Sequence, residues 1–294
     1  MHPVTLRALE WDQVVEFVAG FAVTPLGAQR LVNLEPQTDS QRVGQLVDAT
    51  TEGVTYLDSN PPFSLQAPGD LDSIVATLAV EGRALEPLRL FAFADFLDSV
   101  ALTCATIRRI SGPFPTLKAV AEQCGNFKNQ IAEVRRQIDP SGEVNDSATP
   151  ELGRLRTQLR KQRSRLRSTL ESFLRGKETS KYLQDQVVSD REGRYVLVVK
   201  SEHRTAIPGI IHGSSGSGAS LYLEPLSTVE INNEIVALEQ QEREEILRIL
   251  RALTDSFRSR PVELRQALDA ATELDIIQAK SRAATLMNAV APTM

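Results

Sequence analysis

The sequence predicts a mainly α fold, in which a helical core domain bears two long antiparallel helices that carry a small antiparallel β domain. Three observations point to it. Hydrophobic residues make up 41% of the chain but aromatics only 5%, a balance that favours helices packed by Leu, Val, Ile and Ala rather than by rings. Two leucine- and isoleucine-lined stripes of near-heptad spacing stand on either side of a short stretch with strand character. At 294 residues the chain also exceeds the needs of one ordinary core, so more than one structural unit is expected.

Residues 1–149 read as the first part of the helical core. Leu6, Leu9, Val14, Phe17 and Phe21 fall close to one helical face. Thr24 followed by Pro25 is an N-cap with proline at the first helical position, and Asp39 and Asp70 can each cap the run that follows. Pro61-Pro62 and Pro68-Gly69 mark a connection. A longer helix is predicted from Pro87 to about Ile110, stopped by Gly112-Pro113, and a shorter helical pair flanks Gly125. The turn-rich segment DPSGEVNDSAT, Asp139 to Thr149, ends in Thr149-Pro150-Glu151: a cap, an N1 proline and a first-turn acid.

The first long helix occupies 150–181. Its leucines at 152, 155, 159, 166 and 170, with Phe173, are spaced 3, 4, 7, 4 and 3, a heptad seam with one position skipped at Gln162. Residues 182–226 change period. Tyr195 to Val199 is β-branched, Ile207 to Ile211 is apolar around Pro208-Gly209, and Ala219 to Leu223 alternates, which together predict a small antiparallel sheet. The second long helix, 227–258, carries Ile231, Ile235, Leu238, Ile246, Ile249 and Leu253, interrupted at Gln241 and Glu242. Residues 259–294 form a last helix through Leu264, Leu268, Ala271, Leu274, Ile277 and Ala284, which returns to the core.

Composition narrows the function classes. Cys104 and Cys124 are the only cysteines and match no CxxC or Cys/His pattern, so neither a disulfide framework nor a zinc site is expected. The opening MHPVTLRALEW has no signal-peptide h-region, and the most apolar stretch, Leu88 to Ile107, is broken by Arg89, Asp95 and Asp98. A cytoplasmic chain without a membrane partner is expected. Net charge is −5, but Glu151 to Lys181 holds ten Lys/Arg against three Glu, +7, leaving −12 for the remainder. One basic stretch on an acidic body keeps a polyanionic partner in play.

The segment RYVLVVKSEHRTAIPGIIHGSSGSGASLYLEPLSTVEINNEI, Arg194 to Ile235, resembles the clamp of the type-two branch of the bacterial MutS family and its return into the second lever helix. LEWDQVVEFVAGFAVTPLGAQRL, SGEVNDSATPELGRLR, KYLQDQVV and ELDIIQAKSRAA resemble the same family in the expected order. One departure falls at His212-Gly213, where relatives tend to carry Asp-Gln ahead of the Ser-Gly loop. The resemblance implies a core, lever and clamp portion of a homodimeric protein that holds branched or recombining DNA without sequence specificity. It also implies an ATPase domain binding ATP and Mg, and often a carboxy-terminal nuclease domain, beyond this chain. Ribosomes, engaged when they collide, are the alternative partner that the family implies, and a helical arm that only dimerises is a third reading.

No G-x-x-x-x-G-K-S/T phosphate loop occurs, so no cofactor is expected on these residues. The carboxylates lie on helix surfaces without a nucleophile, and no catalysis is expected from this chain. Cations are the candidate DNA contacts: Lys181, Arg191, Arg194, Lys200, His203 and Arg204 in the clamp, and Arg160, Lys161 and Arg163 within RLRTQLRKQRSRLR on the first long helix. Each has an ordinary alternative. The commoner arrangement for the helix run is a solvated face or pairing with Glu239, Glu242, Glu244 and Glu245 of the second helix. Asp185, Asp190, Glu192 and Glu202 dilute the clamp cations, and Ser214 to Ser220 reads as a mobile hairpin tip rather than a nucleotide site. His203 and His212 lack partners for a metal site.

Overall fold

The computed structural model describes residues 3–292. It divides into two compact units, Met1–Asn145 with Leu250–Met294, and Asp146–Ile249. The mainly α class with a small antiparallel sheet is borne out.

The regular elements of unit 1 among the described residues are helices, with one isolated antiparallel bridge between Ile138 and Val144. Its helices are α1 (Pro3–Ala8), α2 (Trp11–Ala19), α3 (Pro25–Val32), α4 (Ser40–Ser59), α5 (Leu71–Leu78), α6 (Pro87–Arg109), α7 (Pro115–Glu122) and α8 (Lys128–Gln137). To these it adds the end of α10 (Leu226–Arg258) and α11 (Pro261–Leu286). Thr24 caps α3, accepting from Gly27 N at 2.9 Å, and Asp39 caps α4, accepting from Arg42 N at 2.7 Å. Asp70 does not cap α5 through its side chain; its carboxylate pairs with Arg89 at 2.9 Å instead.

The opening segment departs from a single apolar face. Glu10 adopts a left-handed conformation at φ 51°, which ends one helix and starts the next out of phase. Leu9, Val14 and Phe17 are consequently 57%, 43% and 41% exposed, while Val15 and Ala19 are the buried positions of α2.

α6 is the one helix among the described residues long and apolar enough to cross a membrane by length and composition. It lies at the heart of unit 1, with Leu90, Phe93, Phe96 and Ile107 fully buried and Phe93 set edge-on to Phe257 at 5.4 Å. Its acids, which broke the apolar run in the sequence, face outward, where Arg135 of α8 bridges Asp95 and Asp98 at 2.8 Å each. Beside it, α11 is buried on nearly every face, lined by Ala267, Ala270, Ala271, Ala279 and Ala283. Small side chains let neighbouring backbones come close, and a Cβ on Gly53 of α4 would stand 2.3 Å from the Ser281 hydroxyl.

Polar side chains from distant positions fasten these helices. Asp275 of α11 is fully buried and accepts from Val23 N (2.9 Å), Thr24 N (2.8 Å) and Thr24 Oγ1 (2.6 Å), holding the start of α3. Glu52 of α4 accepts from Thr116 N (3.0 Å) and Leu117 N (2.8 Å), supplying the first turn of α7 with acceptors that its own N-cap, Phe114, cannot offer.

Unit 2 contains α9 (Pro150–Arg175), the first part of α10, and four strands: β1 (Leu183–Arg191), β2 (Arg194–Lys200), β3 (Gly209–Ser214) and β4 (Ser220–Pro225). The sheet is antiparallel throughout, in the order β1-β2-β4-β3. Three strands overlap the predicted segments; β1 is the addition, its Gln184, Asp185 and Gln186 giving no apolar alternation. Glu192 and Gly193 have φ of 53° and 77°, the paired positive values of a two-residue hairpin turn between β1 and β2.

Leu159, Leu166 and Leu170 of α9 share one cluster with Ile231 and Ile235 of α10 and with Leu197, Val199 and Leu223 of the sheet. Ion pairs match Arg156 to Glu242 and Arg163 to Glu239, so the two helices run antiparallel within this unit. The skipped seam position is visible as an opening of about 370 Å³, where Gln162 meets Leu238 and Gln241. The Gln162 Oε1 atom is buried there without a hydrogen-bond donor among the described residues.

Candidate nucleic-acid interface

The basic face of α9 begins where the helix does. Thr149 accepts from Leu152 N at 3.1 Å, and its own hydroxyl donates to Glu245 Oε1 at 2.6 Å. Two turns on, Arg156 donates to Glu242 (2.7 Å) and Asp146 (2.7 Å), and Arg160 reaches the other oxygen of Asp146 at 3.0 Å. Hydrogen bonds from Arg156 and Arg160 hold the Asp146 carboxyl below the usual carboxylate range. Burial acts to lower Arg156, but Asp146 and Glu242 outweigh it, and the net direction is upward. Arg163 is raised chiefly by its 2.7 Å bond to Glu239. Arg163 is thus engaged by Glu239 of the second helix, the pairing that the ordinary alternative for this run named, whereas Arg160 pairs with Asp146, ahead of α9.

Such pairs hold little energy where water reaches them. The Arg163 side chain is 48% exposed, so a double-mutant cycle of Arg163→Ala with Glu239→Ala is expected to give a coupling below about 1 kcal/mol in urea denaturation. A coupling of several kcal/mol would show the pair to be a principal fastening of the helices. The same α9 leaves Lys161 and Arg165 exposed, their side chains with no ion-pair or hydrogen-bond partner among the described residues.

The sheet cations divide in the same way. Arg194 donates to the fully buried Glu224 (2.8 and 3.1 Å) and to Asn233 Oδ1 (2.6 Å), so it is a structural counter-ion between β2, β4 and the start of α10. Glu224 also meets His212 Nε2 at 2.5 Å and accepts from Asn232 Nδ2 at 2.8 Å. Sequence reasoning passed over this network. Its one signal was an acid closing the apolar alternation of β4, SLYLEP. His212, which the sequence reading had set aside only as a metal ligand, is one of its members.

Lys181 pairs with Glu178 at 2.9 Å, and Lys200 Nζ donates to the Lys181 carbonyl at 3.3 Å. His203 packs its ring on Tyr182 at 5.0 Å and stands 3.5 Å from Glu202. Arg191 lies over the Tyr222 ring at 3.6 Å from the centroid, a cation–π contact that leaves its N–H edge for an anion. The Arg204 side chain is exposed without a partner among the described residues, as is that of Lys177, which the sequence had not singled out.

Beside Arg191 a surface recess of about 470 Å³ is bounded by Asp190, Glu192, His212, Tyr222 and the Ser214–Gly216 loop. That loop closes on itself, Ser215 N donating to Ser220 O and Gly218 N to Ser215 O, and the two acids oppose an anion in the recess. No group of three or more His, Cys, Asp or Glu side chains able to hold a metal occurs among the described residues. In unit 1 the buried Cys104 thiol is pushed up by its hydrogen bond with Cys124 and by burial, which keeps it as the neutral thiol.

The fold and the charge define a mainly helical module whose second unit, an antiparallel helix pair with a four-stranded sheet, carries exposed cations. No family model matches the chain. Curated relatives match it throughout: it is 34% identical over 300 residues to the endonuclease MutS2 of Symbiobacterium thermophilum, covering 100% of this chain and 37% of the relative. It is 35% identical over 301 residues to the endonuclease MutS2 of Bacillus velezensis, with 100% and 38% covered. The putative endonuclease MutS2 of Bacillus subtilis is 34% identical over 301 residues, again with 100% and 38% covered. The chain is similar along its whole length to proteins named endonuclease MutS2, and it spans a little over a third of the length of these relatives.

Proposed function

We propose that this chain is the core, lever and clamp portion of a MutS2 protein, and that unit 2 grips the sugar–phosphate backbone of branched or recombining DNA. In this reading two copies enclose the nucleic acid, and an ATPase domain elsewhere in the protein drives them. The observation that carries it is the remainder left after internal pairing. The side chains of Lys161, Arg165, Lys177 and Arg204 are exposed without partners among the described residues, and Arg191 is held flat on Tyr222. Solvated cations on helix and hairpin surfaces can neutralise phosphates without reading base edges. The whole-chain likeness to proteins named endonuclease MutS2 supports a nucleic-acid partner.

Gel-shift titration of the chain against a four-way junction and a linear duplex, at two salt concentrations, tests this. Affinity is expected to fall steeply with salt and to be indifferent to sequence. The double variant Lys161→Glu/Arg204→Glu is expected to weaken binding at least about tenfold, each lost phosphate contact also flattening the salt slope by about one. Arg194→Lys is expected to act through stability rather than affinity. Salt-independent binding, or a charge-reversed variant that binds as the parent does, would sink the proposal. Co-sedimentation with ribosomes and no junction binding would replace DNA with the ribosome as the partner.

A further inference from the structure

Cys104 and Cys124, the two cysteines of the chain, take no part in the reading above. They come together within unit 1, where α6 packs on the end of α7. Cys104 lies one turn before Arg108 on α6, and the Arg108 guanidinium donates to the Ala121 carbonyl of α7, through Nε at 3.0 Å. The Cys124 N–H bonds the same carbonyl at 3.4 Å. One acceptor thus holds both the arginine of α6 and the turn that carries Cys124, and the two thiols are left in hydrogen-bond contact.

That contact has a direction. Cys124 Sγ donates to Gly125 O at 3.5 Å, which leaves the sulfur as the acceptor for the Cys104 S–H. The two thiols are also unequally placed. Cys104 is fully buried on a long helix, whereas Cys124 follows the α7 C-cap, Gln123, and is partly exposed. The hydrogen bond from Cys104 draws the Cys124 thiol below its ordinary value; burial opposes this, and Arg108 adds to it. An accessible sulfur that holds negative charge, backed by a buried neutral thiol, is the arrangement of a reactive cysteine with its resolving partner.

We infer that Cys124 and Cys104 are a hydroperoxide-reactive dithiol, in which the accessible sulfur is oxidised first and the buried one closes a disulfide between α6 and the end of α7. The Cys124 thiolate attacks one oxygen of the peroxide, the O–O bond breaks, and the other oxygen leaves as hydroxide and takes up the proton that the thiol released. Cys124 is then a sulfenic acid. The Cys104 sulfur attacks it: the S–S bond forms, the S–O bond breaks, and the departing hydroxide leaves as water with the Cys104 proton. Two electrons pass from the thiol pair to the peroxide, and an external thiol reductant returns them. The pair lies wholly within unit 1 and does not depend on nucleic-acid binding.

Hydrogen peroxide on the whole chain is the probe, read by peptide mass spectrometry without reduction. One cross-link between the Cys104 and Cys124 peptides is expected, reversed by dithiothreitol. Cys104→Ser is expected to stop at the sulfenic acid of Cys124, captured by dimedone, and Cys124→Ser to leave Cys104 unmodified. Two free thiols after peroxide, or a disulfide joining separate chains, would overturn the pairing. Dimedone on Cys104 of Cys124→Ser, with none on Cys124 of Cys104→Ser, would overturn the order of the two steps. The oxidised chain is expected to melt above the reduced one, because a cross-link restricts the unfolded state; an equal or lower Tm would overturn the fastening of α7 to α6. Should a serine variant fail to fold, iodoacetamide on the reduced parent chain decides: Cys124 is expected to react at least about tenfold faster than Cys104, and equal rates would overturn the assignment.

Discussion

Glu224→Ala is expected to unfold the sheet of unit 2 locally while leaving unit 1 intact. The carboxylate is fully buried, and it is the acceptor for Arg194 at 2.8 and 3.1 Å and for Asn232 at 2.8 Å, with His212 Nε2 at 2.5 Å. Truncation strips these donors of their acceptor and leaves a guanidinium, only 27% exposed, without its counter-ion. Breaking a buried pair from one side costs about 3–5 kcal/mol, because the surviving charge stays desolvated. Hydrogen exchange of the whole chain measures it: amides of β2 and β4 should lose at least about two orders of magnitude of protection, with those of α6 unchanged. A loss of less than about tenfold would mean that water or a rearranged neighbour takes the place of the carboxylate. Glu224→Gln is a milder probe, since it keeps one acceptor but turns an N–H₂ group toward the other donors.

Asp275→Ala should act as strongly on unit 1. The side chain is fully buried, and Val23 N, Thr24 N and Thr24 Oγ1 all donate to it between 2.6 and 2.9 Å. Thr24 Oγ1 in turn accepts from Gly27 N, so losing the carboxylate also loosens the cap that starts α3. Three stranded donors and a weakened cap sum to roughly 3 kcal/mol or more, a fall in Tm of about 6–12 °C for a unit of this size. Asp275→Asn should fall between the two. A Tm within about 2 °C of the parent for Asp275→Ala would show that the α3 start holds without its acceptor.

These two carboxylates also mark where the sequence stops being legible. Local chemistry could be read directly: Thr24-Pro25 and Thr149-Pro150 start helices by the hydroxyl caps expected of them, and the leucines from 152 to 170 are the buried seam of α9. What a polar residue does at a distance could not be read. Asp275 lies 251 positions from Thr24, and in one dimension it looks like any solvated acid on an alanine-rich helix. Glu52 and Glu224 are concealed for the same reason. β1 was missed because its residues give no apolar alternation, and the first helices because one left-handed residue, Glu10, resets their phase.

The candidate interface was half legible. Its location in a basic stretch and a hairpin-rich segment follows from charge and period alone. Which cations are spent does not: Arg194 and Arg204 are alike in the chain, and only Glu224 and Asn233, brought together by the β2–β4 pairing and the start of α10, separate a structural arginine from a free one.

The glutamine gap in the α9–α10 seam restricts how the two helices can align. Gln162 faces Leu238 and Gln241 across the opening. A slip of one heptad would instead set it against Ile231 in one direction or Ile246 in the other, sealing an amide among aliphatic side chains with nothing to bond. In the observed alignment the amide borders an opening, its Oε1 unbonded among the described residues, and either slip would close that opening with an aliphatic side chain. The gap thus favours one alignment of α9 on α10 within unit 2.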